Sequence, residues 1–126
     1  MSGFSTVETE DTKPGRPRHR WGLGPASRVA FALPSSGCIG FEITFVSPDP
    51  ETAVTVIANG KAVEQVQSPK TLLTPVTRRI IFEARQGQNS LEFQYSRWNH
   101  KDGKAFAAGD PRQMAIDFVS LRLLRP

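Results

Sequence analysis

The chain has 126 residues, 38% of them hydrophobic and 22% charged, with a formal net charge of +4. That composition excludes a disordered polymer, and the length allows one core of ordinary size but not two. No apolar run is long enough to cross a bilayer as a helix.

The opening stretch Met1 to Asp11 is acidic and polar, unlike the basic and then apolar start of a secretory signal. A single cysteine, Cys38, excludes an internal disulfide and, with that start, predicts a reducing, cytoplasmic setting. Cys38 heads an apolar strand pattern and reads as a small buried side chain. Ten glycines and ten prolines fall between the apolar runs rather than inside them, the punctuation of short strands and turns.

In chain order, a first strand is expected around Gly3 to Glu8. Lys13, Arg16, Arg18, His19 and Arg20 then form a basic cluster that could meet an anionic polymer. Pro14, Gly15 and Pro17 make the same stretch extended and solvated, so nucleic-acid binding ranks last among the functions considered. Trp21 abuts the next strand and reads as a core residue. Arg28 to Leu33 alternates with Val29, Phe31 and Leu33 on one face. After the Pro34-Ser35-Ser36-Gly37 turn, Ile39, Phe41, Ile43 and Phe45 mark the clearest strand. Ser47-Pro48-Asp49-Pro50 ends it.

Ala53 to Ala58 and Lys61 to Gln67 flank Asn59-Gly60, the strongest short hairpin signal, because a type I′ turn needs two residues with positive φ. Val76 to Ala84 predicts another strand, and Gln86-Gly87-Gln88-Asn89 turns the chain into Leu91, Phe93 and Tyr95. The polar stretch Ser96 to Gln113 is the longest connection, and loops of that length usually carry function. In Ala115 to Leu124 the apolar parity switches, which a β-bulge near Phe118-Val119 would reconcile. This inventory of about eight strands predicts a single all-β domain over residues 1–126. Its expected form is a two-sheet antiparallel sandwich of jelly-roll type, with the last strand pairing back beside the start of the chain.

Several features together resemble the β-sandwich modules appended to bacterial glycosyltransferases and other polysaccharide-assembly proteins. They are Gly3-Phe4 with Glu8, Trp21 before the strand Ala26 to Leu33, and the Val56 to Val63 hairpin (V-x-A-N-G-K-x-V). Asn89-Ser90-Leu91-Glu92-Phe93 and the Asp110-Pro111-Arg112 lead into Met114-Ala115-Ile116 complete the set. Phe4 stands where such modules usually carry tryptophan, and the basic segment before Trp21 is unusual. The resemblance implies a sandwich fold, a glycan as ligand and a glycosyltransferase as partner.

The residues themselves offer no catalytic constellation. His19 and His100 lie in separate polar loops without neighbours at metal-ligand spacing, so no metal or cofactor is expected. No carboxylate pair suits glycoside hydrolysis, and neither a phosphate loop nor a nucleophile elbow is present. The expectation is a binding protein rather than an enzyme. Its candidate ligand contacts are Tyr95, Arg97, Trp98, Asn99 and His100, followed by Lys101, Asp102, Lys104, Asp110 and Arg112. An aromatic ring can stack on the C–H face of a sugar while amide, carboxylate, guanidinium and imidazole groups bond its hydroxyls.

Each also has a structural reading. Trp98 could plug the open end of the sandwich, and Asp110 and Arg112 could pair with each other or with Glu8. A carbohydrate-associated accessory module is thus the first functional reading. An assembly protein, using sheet edges and the long loop against a partner or a second copy, is the alternative.

Overall fold

Alternating sequence becomes strand along most of the chain. The computed structural model describes residues 2–5, 20–69 and 74–124, which contain strands and no helix. The strands are β1 Arg20–Leu23, β2 Ala26–Leu33, β3 Gly37–Val46, β4 Ala53–Ala58, β5 Lys61–Gln67, β6 Val76–Ala84, β7 Gly87–Tyr95 and β8 Met114–Leu124. They form two four-stranded sheets with orders β1-β8-β3-β6 and β2-β7-β4-β5. The antiparallel pairs β1·β8, β2·β7, β3·β6 and β4·β5 are those of a long hairpin wound up on itself, the jelly roll.

The core lies between the sheets and comes from one parity of each strand. Ile43, Phe45, Val54, Val56, Ile80, Leu91, Phe93 and Ile116 are each under 2% exposed. Burying such a side chain stabilises the fold by about 1.5–3 kcal/mol. Phe118 sits between two other rings, its centroid 5.2 Å from Phe93 and 5.3 Å from Phe4. The expected bulge is present: Thr44 pairs with Ser120 and Phe45 with Phe118, leaving Val119 as the extra residue. Ile116 and Phe118 are thus buried before it, and Leu121 and Leu123 pack on the core after it. The Asn59-Gly60 hairpin has φ of 49° and 82°, as a type I′ turn demands.

Among the described residues the first strand is Arg20–Leu23; the expected strand Gly3 to Glu8 lies partly outside them, and two other expectations need correction. Residues 2–5 make only isolated bridges, Ser2 to Arg28 of β2 and Phe4 to Gly22 of β1, and so close one side of the sandwich. Glu8 lies outside the described residues. Gly22 hides β1 in the sequence, where its face of the strand carries no side chain; a Cβ there would strike the Tyr95 hydroxyl and Phe118.

Trp21, expected in the core, is half-buried. It shares the parity opposite Gly22 and pairs with Asp117, so it stands on the outer face of its sheet. Cys38, expected buried, is exposed, because it takes the parity opposite Ile39, Phe41 and Ile43 and pairs with Glu83 on the outer face.

Candidate functional site

Winding the hairpin brings the β1–β2, β3–β4 and β7–β8 connections to one end. They are stitched there by backbone bonds, Gly24 N to Gln113 O at 2.8 Å, Tyr95 N to Pro25 O at 3.1 Å and Ser96 N to Ala53 O at 3.0 Å. The Ser96 hydroxyl accepts in return from Ala53 N at 2.8 Å.

Asn99 organises the long loop. It is 0% exposed. Its Nδ2 donates to the carbonyls of Ala107, Asp110 and Arg112, each at 3.1 Å, while its Oδ1 accepts from Phe106 N and Ala107 N, also at 3.1 Å. The His100 Nε2 lies 2.6 Å from the Asp110 carbonyl. The Asp110 carboxylate takes Arg112 Nε at 3.1 Å, Nη2 at 2.8 Å and the Arg112 backbone N–H at 3.0 Å. The guanidinium holds the Asp110 carboxyl well below the usual carboxylate range, at about 2. Asp110 and Arg112 thus pair with each other; Glu8, the other partner considered for them, lies outside the described residues.

These bonds present a tight tip. Asp102 and Gly103 have φ of 54° and 74°, and Lys101 and Lys104 form an isolated bridge across them. Asp-Gly is the same hairpin signal as Asn59-Gly60, and it could have located this tip from sequence. Beside the tip lies a cavity of about 320 Å³. Trp98 and Phe106 line it together with Asp49, Arg97, Lys101 and Lys104. Arg97 is clamped by Asp49, 2.8 Å from Nε, and by Glu51, 2.9 Å from Nη1. The Asp49 bond raises the Arg97 pKa further and holds the fork aimed. Nothing in the sequence marks these acidic partners, which sit four strands earlier on the β3–β4 turn.

Trp98 is half-buried and packs against the edge of the core. Gly24 lies against its indole so closely that a Cβ there would overlap Cγ and Cδ2. The Lys101 ammonium stands over the ring, 4.8 Å from its centroid, and donates to the Ser96 carbonyl at 2.9 Å. Trp98 thus plugs the sandwich end and also lines the cavity.

The expected ligand residues therefore divide by position. Arg97 and Trp98 face the cavity. Asn99, His100, Asp110 and Arg112 tie the loop to itself. Tyr95 is 5% exposed, its hydroxyl 2.7 Å from Ser27 Oγ. Ser27 donates to the Gly3 carbonyl, so Tyr95 donates to Ser27; burial pushes the phenol pKa up. Asn99 is out of a ligand's reach, and the Tyr95 hydroxyl is spent on the buried Ser27. Of the basic patch, Lys13, Arg16 and Arg18 lie outside the described residues, and Arg20 is half-buried on β1. Among the described residues no three His, Cys, Asp or Glu side chains converge on a point that could hold a metal.

No family model matches the sequence, and no curated protein does. The fold has solved counterparts. A family 35 carbohydrate binding module from Clostridium thermocellum superposes with a TM-score of 0.61 at 12% identity, over 98% of this chain and 89% of that one. A family 35 module from an environmental isolate gives 0.60 at 13% identity, over 98% and 87%. The module CBM6cm-2 from Cellvibrio mixtus lichenase 5A, in complex with cellotriose, gives 0.55 at 15% identity, over 99% and 88%. At such identities the likeness is one of fold: the chain is a jelly-roll β-sandwich built like these carbohydrate-binding modules.

Proposed function

We propose that the chain is a non-catalytic carbohydrate-binding module whose loop-end cavity takes a sugar against Trp98. The observation that carries this reading is the cavity itself. It joins two aromatic side chains to a salt-bridged guanidinium and two lysines on a fold that carbohydrate-binding modules use. A sugar ring offers apolar C–H faces to the indole or Phe106, while its hydroxyls accept from Arg97 and Lys104 and donate to Asp49 or Asp102. Asp49 and Glu51 hold the guanidinium in place before the ligand arrives, which reduces the entropy lost on binding.

The sequence resemblance supports a finer reading, that the module serves a glycosyltransferase or another enzyme of bacterial polysaccharide assembly. The fold comparison speaks only to the module.

A glycan array followed by calorimetry on the best ligands tests the reading. Phe106→Ala and Lys104→Ala, at the partly exposed loop tip, should lower affinity while leaving the β circular dichroism unchanged. If ligands bind the parent and both variants equally, the cavity is not the site.

A further inference from the structure

A second cavity, of about 600 Å³, lies over the outer face of β2 and β7, where Ala26 pairs with Gln94 and Arg28 with Glu92. It shares Trp98 and Lys101 with the loop-end cavity. We infer that the two form one track, and that the ligand is an extended oligosaccharide chain rather than a single terminal sugar. This rests on the glycan-binding reading above.

The chemistry of the groove suits a chain of hydroxyls. Its floor at Ala26 is a single methyl. Arg28 spends Nε on Glu92 Oε1 at 2.8 Å, which leaves its two terminal amino groups to donate. Gln94 donates to Glu92 Oε2 at 3.2 Å, which leaves its carbonyl oxygen to accept. A donor and an acceptor therefore stand side by side on neighbouring strands, each steadied by the same carboxylate, which is 16% exposed. Vicinal hydroxyls both donate and accept, so this pairing matches them. Arg28 and Glu92 offset each other's charge on the groove floor, and Lys101 at the wall shared with the loop-end cavity adds a cation that can donate to a hydroxyl. The wall common to both cavities is the Lys101–Trp98 stack, over which the chain would pass. Either cavity alone has the size of a small-ligand site, and together they exceed what one sugar would fill.

The experiment is a length series. Cello-, β-1,3-gluco-, isomalto-, xylo- and manno-oligosaccharides of one to six units are titrated into the whole chain and into Arg28→Ala/Gln94→Ala. In the series that binds, affinity should rise with length beyond the disaccharide. The double variant should lose about tenfold for the hexamer and nothing for the shortest ligand bound, since about two hydrogen bonds are removed. Affinity that is flat with length, or a double variant that matches the parent for the hexamer, overturns the track and leaves the loop-end site standing. Absence of binding in every series overturns both.

Discussion

Replacing Asn99 with alanine removes the amide around which the 96–113 loop is built. Two N–H groups feed three carbonyls and one oxygen takes two N–H groups, so about four hydrogen-bond equivalents disappear. At about 1 kcal/mol each the sum is near 4 kcal/mol. Water can reach part of the loop once it opens, so about 2–4 kcal/mol is expected, a large share of a normal folding free energy. The loss should be local: the amides of Phe106 and Ala107 should exchange fastest, while those of β3 and β4 change little. Asn99→Asp sharpens the test, because it is nearly isosteric and keeps both acceptor bonds. It sets an anionic oxygen where the Nδ2 faced three carbonyl oxygens, in a site with 0% exposure. It should destabilise at least as much as alanine. Urea denaturation and native-state hydrogen exchange measure both variants. An aspartate variant within about 0.5 kcal/mol of the parent would refute the argument, because a hub that tolerates losing its donors is no hub.

Three further outcomes are expected. Asp110 has a folded-state pKa of about 2, below that of an unfolded carboxylate, so its stabilising effect is present above about pH 4 and fades as pH falls towards 2. Urea midpoints at pH 5, 4, 3 and 2.5 should fall less steeply in Asp110→Asn than in the parent, and parallel profiles would count against the pair. Gly24→Ala puts a methyl into Cγ and Cδ2 of Trp98. In a Trp21→Phe background it should shift the remaining tryptophan emission and weaken glycan binding without loss of strand content; unchanged emission would show that the indole does not rest there. Tyr95→Phe breaks the buried Tyr95–Ser27–Gly3 relay and should cost about 1 kcal/mol in urea titration, with no cost disproving the relay.

Local features of this chain were readable without its fold. Alternation located seven of the strands, because one-sided burial imposes a period of two whatever the partner. Asn59-Gly60 announced its hairpin through the positive φ that both residues tolerate, and the parity slip at Phe118-Val119 announced the bulge, since both halves of β8 must face the same core. Only tertiary structure decided the rest. β1 carries only four residues, one of them a glycine, and it becomes a strand through β8, more than ninety positions away. That register turns Trp21 outward, just as the parity of β3 turns out Cys38.

The site was half legible. Trp98-Asn99-His100 has the composition of a sugar-binding loop, and it has equally the composition of a capped one, because the same amides and imidazoles that bond hydroxyls also bond carbonyls. Folding buried Asn99 among backbone groups, left Trp98 between core and cavity, and supplied Arg97 with Asp49 and Glu51 from another loop. Residue types are written in the sequence; which of them still face solvent depends on contacts between segments that only the wound hairpin brings together.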